Sequence, residues 1–301
     1  MSDKVAVESN TSNPTDPVKQ VAEEPSQVTK PASLSSKRDS ISGHYSSWGV
    51  IRSEWTKFWT VRSTLITLLI TVVLGIGLGA IATAATAARW SQFGPEHRIG
   101  FDPTRVSLTG LLLAQLAVGI LGVLVISAEY GTGTIRATFS AAPKRPLVLI
   151  VKTLVLGFVI FVVGELVSFA AFLLGQALLS GKAPHATLSD PGVLRAVIGG
   201  GLYLTILAIL ALGFGFIIRH TAGAISAFVG ILLILPLIVA ALPSSIGNPV
   251  GKYLPANIGV SLLSVRTFGI SFAPWTGFAL LCLYAVVTLI VGGILLVKRD
   301  A

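Results

Sequence analysis

Apolar residues along this chain gather into long unbroken runs instead of alternating with polar ones. Six runs are long enough to cross a hydrocarbon core of about 30 Å as single helices. They lie at about Thr64–Ala88, Leu108–Ala128, Leu147–Leu179, Val193–Ile218, Ala222–Leu242 and Trp275–Val297. The third run exceeds one perpendicular crossing. Pro146 suits the first turn of a helix, so this span is expected to start outside the bilayer, with Lys152 snorkelling its ammonium to the surface. Pro236 predicts a kink in the fifth span. A further apolar stretch, Ile258–Val265, is too short to span and is expected to form a re-entrant or surface helix.

Two other patterns precede the spans. Over residues 46–63, Trp48, Ile51, Trp55, Phe58 and Trp59 recur at three- and four-residue steps, with Arg52, Glu54, Lys57 and Thr60 on the intervening faces. This predicts an amphipathic helix in the headgroup layer, where Trp is favoured. Residues 1–45 are rich in Ser, Thr, Pro, Lys and Glu and hold few large apolar residues, which predicts a disordered tail. Its opening residues lack the apolar core of a signal peptide. The expected fold class is thus an all-α membrane protein of six transmembrane helices, preceded by an interfacial amphipathic helix and a disordered N-terminal tail. The tail is residues 1–45 and the membrane domain residues 46–299.

Composition agrees with the pattern: 53% of the 301 residues are hydrophobic and 12% charged, against about 25% charged in soluble domains. The net charge of +9 is uneven, since residues 1–45 carry five basic and six acidic side chains. The basicity therefore belongs to the membrane part, where it suits anionic lipid. No basic stripe or soluble domain is expected to present it to nucleic acid. The bias of basic residues between the two sides is small. Arg52, Lys57 and Arg62 precede the first span, while Glu96, Asp102 and Asp190 fall on the other side. By the positive-inside tendency both termini are expected in the cytoplasm of a cell bounded by this plasma membrane.

Candidate chemistry is sparse. His44, His97, His185 and His220 are scattered, and Cys282 is the single cysteine, so no cysteine-built metal site or intrachain disulfide is expected. The nearest approach to a phosphate-binding loop, Gly175 to Gly181-Lys182, is one residue too long and lacks the following hydroxyl. No catalytic residue, cofactor or enzymatic activity is expected. Two signals lie within the spans. Glu165 follows Lys152 by about 20 Å of helix, and a carboxylate at that depth is costly. It is expected to face the bundle interior, either as a hydrogen-bonded structural group or along a substrate path. Gly75, Gly79 and Thr83 set a small residue at every fourth position, a pattern that permits close helix approach within one subunit or between two.

The segment between the second and third spans carries the most information. It reads Glu129-Tyr-Gly-Thr-Gly133-Thr134-Ile-Arg136, then Pro143-Lys144-Arg145. An acidic residue at the membrane exit, a Gly-Thr-apolar-charged stretch, and a Pro with a basic residue before the next span resemble the loop of permease subunits of type-2 ABC exporters. Ser53-Glu54-Trp55-Thr56-Lys57 resembles the opening of many actinobacterial members, and Tyr253-Leu254-Pro255-Ala256-Asn257 their outer loop. The resemblance covers about residues 46–299. It implies a coupling helix at Glu129–Arg145, with Glu129, Gly133, Thr134, Arg136, Pro143 and Arg145 contacting a separate ATP-binding subunit. It also implies a second permease subunit, as homo- or heterodimer, and membrane lipid around both. The aliphatic spans suit a hydrophobic or amphiphilic cargo. Two other readings stand beside it: a secondary transporter using Glu165, and a non-transporting accessory or immunity membrane protein.

Overall fold

The computed structural model describes residues 47–135, 145–266 and 271–298. The tail read at residues 1–45, and Arg136 and Pro143 of the loop, lie outside them; Arg145 opens a helix. Every regular element among the described residues is helical, and six helices are long and apolar enough to cross a membrane. The protein is a multi-pass membrane protein.

Helix α1 (Ser47–Thr60) is the expected amphipathic helix. It ends where Val61 adopts an extended backbone, and the first span starts at once. That span is α2 (Arg62–Val72), a π turn (Val73–Leu78) and α3 (Gly79–Arg89). Two short helices, α4 (Pro95–Ile99) and α5 (Pro103–Ser107), lead to the second span, α6 (Leu111–Thr132). Helix α6 runs four residues past its expected end, taking in Glu129 and Tyr130, and stops at Gly133 with φ +71°. Only glycine takes that left-handed conformation without a Cβ penalty, so the cap falls there.

The third span is α7 (Arg145–Leu179), 35 residues with Pro146 in its first turn. The fourth, α8 (Val193–Ile218), has its expected bounds. The fifth comprises α9 (Thr221–Val229), a π turn (Gly230–Ile234) and α10 (Leu235–Ala240). Pro236 explains the interruption. It has no N–H for the carbonyl one turn earlier and its ring crowds that carbonyl, so the preceding turn widens. After α11 (Ser244–Gly251) and α12 (Pro255–Leu263), the sixth span α13 (Pro274–Lys298) closes the bundle.

Helix α8 is the axis of the bundle, packed by α6, α7 and α13. Its glycines set the spacing. A Cβ at Gly199 would meet Leu262 of α12, and one at Gly201 would meet Glu165 of α7. Gly213 abuts Thr288 of α13 in the same way. Helix α12 is not a surface helix. Ile258, Leu262 and Leu263 are buried, and it lies along α8 with Gly259 against the Tyr203 ring. Because Tyr203, which touches the Pro255 carbonyl, stands two turns further along α8 than Arg195, which donates to the carbonyls of Leu262 and Ser264, the Pro255 end of α12 lies deeper along the bundle and its Leu263 end nearer the start of α8.

The Gly75–Gly79–Thr83 pattern serves packing inside this chain. Gly75 lies beneath Gly110 and Val167, Gly79 beneath the Ser107 carbonyl, and Thr83 is fully buried, donating to the Gly79 carbonyl at 2.7 Å. The outward faces of the first, fifth and sixth spans stay exposed and apolar: Leu69 at 62%, Leu237 at 71% and Ile290 at 56%. Such faces suit lipid tails or another helix surface.

Candidate functional site

The principal polar cluster lies where α1 meets the ends of α6 and α7. Among its described side chains, helix α1 turns Glu54 and Phe58 fully inward, one turn apart, while Trp48, Trp55 and Trp59 face out. Glu54 was expected on the polar face with Arg52, Lys57 and Thr60; its carboxylate instead enters the bundle. There it meets Lys152 of α7, whose ammonium is 2.7 Å from Glu54 Oε2 and 2.8 Å from Glu129 Oε1. The Val125 carbonyl accepts a longer contact at 3.5 Å. Lys57 closes the ring from its rim, 2.8 Å from Glu54 Oε1 and 3.1 Å from Glu129 Oε1.

Two carboxylates and two ammoniums thus share one site, with Lys152 only 2% exposed. The expected snorkelling does not occur: two acids neutralise Lys152 in place, which removes the reason to reach water. Burial pushes the Glu54 carboxyl up, but the charges and hydrogen bonds of Lys152 and Lys57 outweigh it and hold the group below its usual value. Burial likewise pulls Lys57 down, and its bonds to Glu54 and Glu129 reverse the sign and raise it.

This ring ties three elements together: the interfacial helix, the exit of the second span and the entry of the third. Of the residues expected to couple, Glu129 is a member, Gly133 is the left-handed cap, and the Thr134 hydroxyl lies 2.9 Å from that of Thr132. The sequence reading missed Glu54, Lys57 and Lys152 as members. A signal was present: a lysine within an apolar run needs a counter-charge, and Glu54 and Glu129 are acids near that end of the bundle among the described residues.

Arg219, in a left-handed backbone at the end of α8, belongs to the same end. It donates to the Leu295 carbonyl at 2.9 Å and stacks its guanidinium 5.2 Å from the Tyr130 ring.

Glu165 stands apart from this ring, midway along α7. Both carboxyl oxygens are buried against the Gly201 backbone of α8 and have no hydrogen-bond partner among the described residues. It faces protein, as expected. Its neighbour one turn on, Ser168, donates to the Val197 carbonyl at 2.6 Å.

The opposite end is held by bonds to the backbone. Asp102, 4% exposed, accepts from the N–H groups of Thr104 and Arg105 and caps α5. Its second oxygen accepts from those of Val265 and Arg266, 2.8 and 3.2 Å away. Gln176 at the far end of α7 donates to Ser107 Oγ at 2.9 Å and accepts from the Ala186 N–H at 2.8 Å. The Tyr203 hydroxyl donates to Gln115 Oε1 in the core. No group of three or more candidate metal ligands occurs among the described residues. Comparison of the chain with models of known protein families, and with curated proteins, found no match.

Proposed function

We propose that this chain is the membrane-spanning permease subunit of an ATP-driven exporter. In this reading a second permease subunit completes the path, and a separate ATP-binding subunit docks on the segment from Glu129 to Arg145. Both termini lie in the cytoplasm of a plasma-membrane protein, and the cargo is hydrophobic or amphiphilic. The observation that carries the reading is the buried ring of Glu54, Lys57, Glu129 and Lys152. A force applied to a loop needs a stiff root to reach the bundle. Here the root of that loop is ion-paired to the interfacial helix and to the third span together, so movement of the loop passes into α7 instead of dissipating in a hinge.

The test pairs this chain with an ATP-binding protein encoded beside it, co-expressed and reconstituted in vesicles. Arg136→Glu and Arg145→Glu reverse charge on the docking segment and leave the six spans alone. The expected result is normal insertion with loss of co-purification and of ATPase stimulation, since disrupting a buried interfacial charge pair costs about 2–5 kcal/mol. Intact complexes and transport in both variants would sink the assignment. A secondary transporter is favoured by one observation, the oxygens of Glu165, which have no hydrogen-bond partner among the described residues. It requires that Glu165→Gln abolish a proton-driven flux that persists without ATP.

A further inference from the structure

On the side of the bundle away from the ion-paired ring, a cavity of about 690 Å³ opens between the fifth span and helices α11 and α12. Its two walls differ in chemistry. One is the π turn and α10, which present Leu233, Pro236 and Leu237. Leu233 is 49% and Leu237 71% exposed, so the chain itself leaves these two side chains uncovered, while Leu232 and Val239 behind them are buried. The other holds Asn248, Lys252 and Arg266 together with serine hydroxyls. No carboxylate lines the cavity among the described residues.

The nearest acid along the chain's own contacts is Asp102, which bonds the Arg266 N–H, and its oxygens are already taken by four backbone N–H groups. Lys252 lies 5.2 Å from the ring centres of Tyr253 and Phe272, and Arg266 donates to the Ile99 carbonyl; neither has an anionic partner among the described residues. A cavity with an aliphatic wall and two cations without counter-ions is complementary to one ligand class.

We propose that this cavity binds an anionic amphiphile, with its acyl chain along the α10 wall and its headgroup at Lys252 and Arg266. The inference does not rest on the transport reading. The same chemistry is offered by an anionic phospholipid of the bilayer and by a single-chain anionic guest, and the test separates these sources.

The full chain, purified and delipidated in a neutral detergent, is titrated with dioleoylphosphatidylglycerol, dioleoylphosphatidylcholine, lauryl phosphate and inorganic phosphate, with bound states read by native mass spectrometry. The expected result is a preference of about tenfold or more for the anionic lipid over phosphatidylcholine, as one charge-assisted contact supplies. Inorganic phosphate alone does not bind, because the aliphatic wall has nothing to contact. The Lys252→Gln/Arg266→Gln variant loses the preference, and Lys252→Gln alone reduces it should the double variant unfold. Asn248→Trp keeps both cations but fills the cavity, and it lowers uptake of both anionic amphiphiles.

Phosphatidylglycerol that co-purifies and resists displacement identifies a resident lipid, whereas ready exchange with lauryl phosphate identifies a mobile guest; both support the proposal. Equal binding of the two phospholipids overturns it. So does an anionic preference unchanged in the Lys252 and Arg266 variants, or inorganic phosphate binding as tightly as lauryl phosphate.

Discussion

Lys152 decides the character of the principal site. A buried charge pair is poor evidence of net stability, but removing one partner strands the others. Lys152→Met keeps the side-chain volume and removes the buried cation that Glu54 and Glu129 share, leaving them only Lys57 at the rim. The expected loss is about 3–5 kcal/mol in the unfolding free energy of the purified chain. Replacing Glu54 and Glu129 by Gln in the same variant is expected to recover most of it. Wild-type stability for Lys152→Met alone would show that the ring is not the clamp described. The pH dependence follows from the signs. Glu54, depressed below 4.5, adds stability that is present above that value and lost as pH falls through its lower folded value. Lys57, raised above 10.5, adds stability present below that value and lost as pH climbs through its higher folded value. The docking of α1, read by Trp fluorescence, is therefore expected to stay flat from about pH 5.5 to about 9.5. An acid transition unchanged in Glu54→Gln would count against this account.

At the scale of elements, apolar run length located every span. Val193–Ile218 carries a helix of the expected bounds because glycine flanks its start and a left-handed Arg219 its end. The second span starts three residues later than its apolar run and ends four residues beyond it, because Lys152, 23 residues on, neutralises Glu129 inside the fold. Pairing at such separations leaves no periodic trace, and Glu54 lies 98 residues from Lys152. The π turns were equally hidden, since widening one turn does not interrupt an apolar run. The glycine pattern was legible as close packing, but its partner was not. That partner includes Gly110, where a Cβ would strike the Gly75 carbonyl and lie 2.7 Å from the Leu74 carbonyl. Because backbone stands in the way, Gly110→Val is expected to cost at least about 1–3 kcal/mol, as for overpacked cores. Gly49→Val, where nothing stands within 4 Å of the Cβ position, is the control. Equal stabilities for the two would remove the first span from its assigned contact.

Taken whole, the molecule has unlike ends: charges neutralise one another at one, and side chains hold backbone at the other. The odd-numbered and even-numbered spans run in opposite directions, so α1 and Lys298 share an end while Glu96, Ser189 and Asn248 share the other. Single cysteines at Gly49, Glu96, Ser189 and Asn248, with Cys282 replaced, are expected to label from opposite faces of intact cells, the last three from outside. Labelling of Gly49→Cys from outside would invert the orientation. The two π turns, one in the first span and one in the fifth, carry a separate consequence for chain length. A π turn is an α-helix holding one surplus residue, so taking one residue out leaves both flanking helices facing as before. Elsewhere in a span the same deletion rotates everything beyond it by about 100°. Gly77 lies in the first π turn with nothing near its Cβ position, and a chain lacking it is expected to fold and insert. A chain lacking Leu121, buried in the unbroken α6, is not. The π turn of the first span is thus a place where register can absorb a single-residue deletion, whereas in the fifth span Pro236 holds the turn open and the extra residue stays needed.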